Sequence, residues 1–323
     1  MFQGNKIVKP SYLQAGDKVA LVAPAYWVAE EAVSLAADIL RSWGLVPIIG
    51  EHTRSLNVDA YSGTADERAG DLLWAFQKDD IRAIFCSRGG YGSLHLLRRI
   101  LPETVSQHPK WLIGHGDITI LINAIAASGV MSLYGPMAFQ LAAAQEPSLS
   151  ITRDILFGTL PEYHIPPNPY NRCGHAEGIL VGGNLASYAA IAATDYHVPA
   201  DEDIILFIEE VEESLHSIDR LFYSLTLRLD FLQRVKGVIL GSFCAIRYDL
   251  QFGSVEQMLT AHFSAYDIPV CCGFPVGSNN CLPLLVGSRC ILNVVANAAT
   301  LTFHVEGNQR PCLLDVPEAP LFK

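Results

Sequence analysis

Apolar positions along the chain come in two alternating textures. Short β-branched runs ending at Pro or Gly occur at 18–24 (KVALVAP), 45–49, 81–86 and 111–113. Between them, at 30–43, 65–77, 92–100 and 119–127, apolar residues recur every three or four positions. The first texture predicts buried strands, the second helices with one apolar face. In the segment 30–43, for example, Val33, Leu35, Ala36, Ile39 and Leu40 fall on one stripe and Gly44 stops it. Strands interleaved with helices predict βαβ units, a parallel sheet and right-handed crossovers.

The texture changes at Glu146. Pro147, Pro161, Pro166, Pro167 and Pro169, with Asn168 and Asn171 among them, predict an extended interdomain linker over 146–174. Beyond it, strand-like runs at 179–181, 204–208, 237–240, 290–295 and 300–305 accompany a single long helix at 214–229. Few of these alternate with helices, so mixed strand pairing is expected there. The expected organisation is an N-terminal α/β domain over 1–145, the linker, and a C-terminal mixed α/β domain over 175–323.

Composition narrows the partners. The chain of 323 residues carries 22 Lys+Arg against 33 Asp+Glu, a net charge of −11, which excludes a phosphate backbone as the expected ligand. Charged residues are only 17%, so many faces must be buried. After Asn5, Lys6 and Lys9 come Pro10, Tyr12 and Asp17, which is no secretory h-region. The uncharged stretch 118–145 contains Asn123, Gly129 and Pro136, and reads as a buried helix, a turn and a second element, not a membrane span. A soluble cytoplasmic protein is expected. The 8 cysteines are scattered, and the adjacent pair Cys271–Cys272 is not a CxxC site, so free buried thiols are expected. No HExxH or paired His at ligand spacing appears, and neither metal nor cofactor is expected.

Four segments can carry chemistry. SRGGYGS (87–93) turns sharply between a strand and a helix, presenting N–H groups to a phosphate or an oxyanion, or serving only as a tight turn. PKWLIGHGDIT (109–119) has the strand–turn–helix shape of a nucleophile elbow, yet its apex is Gly116. LFIEEVEESLHSIDR (206–220) runs a buried strand into Glu209, Glu210, Glu212 and Glu213, either an orienting carboxylate or a solvated acidic face. Asp219 and Arg220 are expected to pair locally. PVCCGFPVGSNN (269–280) ends in a polar turn at Ser278.

These segments, with GDKVALVAPA (16–25), GTADERAGDL (63–72), YGPM (134–137) and GGNL (182–185), follow one another in an order that resembles the LD-carboxypeptidase family. That family comprises serine peptidases including murein tetrapeptide carboxypeptidases and microcin C immunity hydrolases. The resemblance implies a flavodoxin/Rossmann-like parallel-sheet N-terminal domain, a smaller mixed α/β C-terminal domain, a cleft between them and a homodimer. It implies cleavage of an amide joining an L-centre to a D-residue, or of a peptidyl-nucleotide bond, by a Ser–His–Glu triad.

Carried over position by position, the nucleophile falls on Gly116 and the base on Ser278, while Glu209 matches the orienting carboxylate. Gly89, Gly90, Tyr91, Asp117 and Asn184 match oxyanion or substrate positions. His115 stands at a usually aromatic position, and Tyr134 where the family usually has His. Glycine cannot attack, and a serine hydroxyl cannot act as a base near neutral pH. Losing a triad member costs about 10⁴–10⁶ in rate. The leading expectation is a non-catalytic or strongly altered relative that binds a small peptide or muropeptide carboxylate in the cleft, with no nucleic acid or membrane partner. Two readings keep catalysis. In one the site is rebuilt, with water activated by Glu209 or Glu210, or with His115, Ser278 or Cys281 taking part. In the other the pair is an ordinary one elsewhere, such as Ser93 with His95.

Overall fold

The computed structural model describes residues 7–56, 59–100, 102–141, 147–198, 202–247, 253–277, 281–305 and 312–316. Its strands are β1 (Lys18–Val22), β2 (Val46–Ile49), β3 (Ile81–Cys86), β4 (Trp111–Gly114), β5 (Ser132–Tyr134), β6 (Pro161–Ile165), β7 (Gly174–Asn184), β8 (Ile204–Val211), β9 (Val235–Cys244), β10 (Val270–Cys272), β11 (Leu284–Val286), β12 (Arg289–Val295), β13 (Ala298–His304) and β14 (Cys312–Asp315). They form a six-stranded sheet ordered β11-β5-β4-β3-β1-β2 and an eight-stranded sheet ordered β10-β9-β8-β7-β12-β13-β6-β14.

In the first sheet β1 to β5 are all parallel, as the alternation predicts, and the crossover helices Glu30–Ser42, Ala65–Gln77 and Thr119–Ala127 lie where the apolar spacing puts them. The order β2-β1-β3-β4-β5 is flavodoxin-like, so its reversal point lies between β1 and β3. The edge is closed by β11, which arrives from the second half of the chain and pairs antiparallel to β5. The second sheet mixes both senses, with β7 to β10 parallel and β12 and β13 antiparallel. Apolar side chains from both sheets form one continuous core.

Several expectations change. The segment 146–174 is not a bare linker: it carries the helix Ser148–Leu156 and strand β6, which pairs with β13 and β14. Pro161, Tyr163 and Ile165 bury one side of β6, an alternation the neighbouring prolines masked. The helix expected over 92–100 shrinks to the 3-10 turn Ser93–Leu96, followed by a separate helix, Pro102–Gln107. Tertiary bonds hold that loop, because the Ser93 N–H goes to Asp117 and the Gly92 carbonyl to Arg68. Cys86, Cys271, Cys272, Cys281 and Cys290 are buried free thiols, whereas Cys173 and Cys312 are exposed and Cys244 lies between. Asp219 pairs with His262 Nε2 at 3.0 Å across two helices, not with Arg220. Among the described residues no helix is long and apolar enough to cross a membrane.

Candidate functional site

The carboxyl ends of β3, β4, β5 and β8 converge. In open parallel sheets ligands bind beyond the carboxyl ends of the strands, and here the direct pairing of β3 with β4 brings the loop 87–93 and the turn after β4 together. Gly89 is where they touch: a Cβ there would lie 3.2 Å from the His115 carbonyl oxygen and 3.3 Å from the Asp117 nitrogen. Asp117 fixes the contact by accepting the Ser93 N–H at 2.8 Å, and burial raises its pKa.

The turn after β4 keeps an elbow's backbone. Gly116 has φ +62, and nothing lies within 4 Å of the position its Cβ would take. The left-handed backbone is the strained conformation an elbow imposes on its apex residue. The Gly116 N–H donates to the Tyr134 hydroxyl at 3.2 Å. Among the described residues the N–H groups of Gly90 and Asp117 have no hydrogen-bond partner. Two free backbone donors beside an open apex can hold an oxyanion or a carboxylate.

From the other sheet, Glu209 reaches the same place. It pairs in register with Asn184 of β7, is 1% exposed, and its Oε1 accepts from the Tyr134 hydroxyl at 2.7 Å. Its Oε2 is buried with no partner among the described residues, and a Cβ on Gly277 would come within 2.2 Å of it. Burial pushes its pKa from 4.5 up to about 8, with Glu210 adding repulsion and the Tyr134 bond pulling back. Glu210 is 3% exposed but well supplied: Asn184 Nδ2 (2.6 Å), Ala186 N (2.8 Å) and Val211 N (2.9 Å) all donate to it. Of the expected acidic face, Glu209 and Glu210 are therefore buried, and only Glu212 and Glu213 reach solvent.

A stability consequence follows from Glu209. The folded form holds its proton up to about pH 8, whereas the unfolded chain releases it near 4.5. Folding thus takes up a proton in that window, and stability falls as pH rises through it, by at most about 1.4 kcal/mol per pH unit. Glu209→Gln is expected to flatten this decline. Urea unfolding at several pH values measures it, and an equally steep decline in the variant would remove Glu209 as the cause.

Other expected residues are placed as follows. His115 Nε2 donates to Gln140 Oε1 at 2.5 Å, and burial lowers its pKa, so its ring is committed to a neutral structural bond. The same Gln140 oxygen accepts from Met137 N. Cys281 is 2% exposed and burial pushes its thiol up to about 12, which keeps it protonated. Tyr91 stands exposed at the loop tip. Ser93 is fully buried and makes no hydrogen bond with His95 among the described residues; His95 packs against Tyr61 and Tyr91 instead. Ser278 lies outside the described residues. Sequence reasoning gave no role to Gln140 or to Arg68, whose buried guanidinium donates to the Pro24 and Gly92 carbonyls and lies 4.8 Å over Tyr61. A charged residue in the apolar stripe of a helix was the available signal. Among the described residues no group of three His, Cys, Asp or Glu side chains could hold a metal ion.

Comparison with known proteins matches the chain to a family. The LD-carboxypeptidase N-terminal domain matches residues 19–135 and the LD-carboxypeptidase C-terminal domain residues 177–292. A putative carboxypeptidase of Synechocystis is 35% identical over 305 residues, covering 93% of this chain and 98% of its own. The murein tetrapeptide carboxypeptidase of Pseudomonas aeruginosa is 30% identical over 276 residues, covering 80% and 87%. The crystal structure of muramoyltetrapeptide carboxypeptidase from Oxalobacter formigenes superposes with a TM-score of 0.79 at 24% identity, over 91% of this chain and 100% of that one, which shows a shared fold. The chain belongs to the LD-carboxypeptidase family.

Proposed function

We propose that this protein binds a peptide carboxylate, of the murein tetrapeptide class, in the cleft between its two sheets, without the serine chemistry of its family. As the resemblance implies, it acts as a homodimer. One observation carries the reading: the apex of the elbow is Gly116, with its backbone at φ +62 and open space where a side chain would stand. The free N–H groups of Gly90 and Asp117 beside it supply donors for a ligand carboxylate.

The rebuilt-site alternative finds less support. His115 is tied to Gln140, and Glu210 is saturated by three donors, which leaves Glu209 as its remaining candidate base. Calorimetric titration of the wild-type protein with murein tetrapeptide is expected to show saturable binding, with no release of terminal D-alanine above the uncatalysed background. D-alanine release at a rate that Glu209→Ala abolishes would transfer the protein to the alternative. Absence of binding up to millimolar ligand would remove the muropeptide reading.

A further inference from the structure

Arg68 is a buried cation without an anion of its own. It belongs to the buried face of the helix Ala65–Gln77 and is 2% exposed. Among the described residues no carboxylate forms an ion pair with it. Asn57 and Val58, which lie outside the described residues, carry no charge. Its guanidinium is held by neutral groups instead: Nη1 donates to the Pro24 carbonyl at 2.6 Å and the Gly92 carbonyl at 3.1 Å, and Cζ lies 4.8 Å over the Tyr61 ring. Asp117 acts on it electrostatically from beyond ion-pair distance, while its own carboxylate is spent on the Ser93 N–H. Burying a charge is costly unless an opposite charge compensates it.

Its position bears on the carboxylate site. Pro24 follows β1 and Gly92 follows β3, so a single nitrogen ties together the two turns that flank the reversal of strand order, the place where open parallel sheets bind ligands. The rest of the loop is fixed from the same side. The Tyr26 N–H donates to the Gly89 carbonyl at 3.2 Å. Gly90, at φ +98, lies against the Tyr26 ring, and a Cβ there would sit 2.4 Å from Tyr26 Cδ2. What remains unspent is the N–H of Gly90, two residues from the carbonyl that Arg68 holds, or at most about 7 Å of chain. Over such a distance a buried charge acts on an anion with little screening by salt.

We propose that Arg68 is a positioning residue of the carboxylate site: through the Pro24 and Gly92 carbonyls it holds the Gly90 N–H beside the elbow turn, and its buried charge makes the site select a carboxylate over a neutral group of the same shape. This rests on the carboxylate-binding reading and adds to it the residue that sets its selectivity. No covalent bond changes, and Arg68 acts through the loop without touching the ligand.

Two probes test it: N-acetyl-glycyl-D-alanine, which ends in a carboxylate, and its C-terminal amide, which has the same shape without the charge. By calorimetry the wild-type protein is expected to bind the acid about tenfold or more tightly than the amide, the scale of a charge-assisted hydrogen bond. In Arg68→Met the preference is expected to fall to about twofold or less, whereas Arg68→Lys, which keeps the charge, retains about threefold or more. Urea midpoints and circular dichroism establish which variants are folded. A purely structural Arg68 would lower the midpoints and weaken both probes alike, leaving their ratio unchanged. A measurement on wild-type protein covers the case in which Arg68→Met does not fold: the nitrogen-15 signal of Arg68 Nε, assigned by its loss in Arg68→Lys, is expected to shift with the acid and not with the amide. A folded Arg68→Met that keeps the wild-type preference, or an Nε signal unmoved at saturation with the acid, would overturn the role of Arg68 and leave the carboxylate reading standing. Wild-type protein that binds both probes equally, or neither, would overturn both.

Discussion

Replacing Gly116 by Ser together with Ser278 by His is expected to make the protein release D-alanine from murein tetrapeptide at about 10³-fold or more above wild type, while either single variant stays near background. A nucleophile and its base act as a unit, so each alone recovers little of the benefit. The receiving geometry favours the serine: nothing lies within 4 Å of the Cβ position at 116, and φ of +62 is the strained backbone an elbow uses. The cost to folding is the left-handed conformation of a non-glycine residue, about 1–2 kcal/mol. Glu209 Oε2, which has no partner among the described residues, is the atom that would orient an imidazole. The Tyr134 hydroxyl already holds Oε1 and the Gly116 N–H, and this competition keeps the gain below the full range of about 10⁴–10⁶. An assay of liberated D-alanine decides it; a folded double variant that binds tetrapeptide and releases nothing would show that the elbow is not aimed at the ligand.

Gly182→Ala is expected to be the most damaging small substitution near the site, costing about 3–5 kcal/mol from backbone strain and overpacking together. Gly182 pairs with Phe207 between β7 and β8 at φ +127, and a Cβ there would sit 1.9 Å from the Phe207 carbonyl oxygen. Asn123 bonds both its N–H and its carbonyl, so the strand has no room to shift. A loss of that size is a large share of the stability of a typical domain. Gly116→Ala provides the internal contrast, since it carries the φ penalty without a collision and is expected to cost about 1–2 kcal/mol. Urea midpoints at constant slope measure both, and a milder effect at 182 than at 116 would contradict the strand pairing described above.

The N-terminal sheet was legible because its signals are local. The runs at 18–24, 81–86 and 111–113 became β1, β3 and β4, and the helices at 65–77 and 119–127 have the bounds their spacing predicts. Thr64 and Glu67 close a capping box at the first of these, so one end is specified within four residues. The second half was harder. Strand β6 lies among prolines, and β10, β11 and β14 are short, so pairing partners far along the chain decide them rather than any periodicity. The site was half legible. Motif order located Gly89, Gly90, Gly116, Asp117 and Glu209, but their relations were invisible, because β4 and β8 belong to different sheets.

By itself the sequence determined the family, the parallel alternation of the first half, and that a glycine, Gly116, stands in the turn after β4. These are properties of order and of side-chain type, which need no folding to be read. Only the tertiary structure decided that His115 is spent on Gln140, that Tyr134 joins the elbow to Glu209, and that among the described residues Glu210 is saturated while Glu209 is not. Hydrogen-bond supply and burial arise where residues distant in the chain meet, and there the same two letters, Glu and Glu, acquire different chemistry.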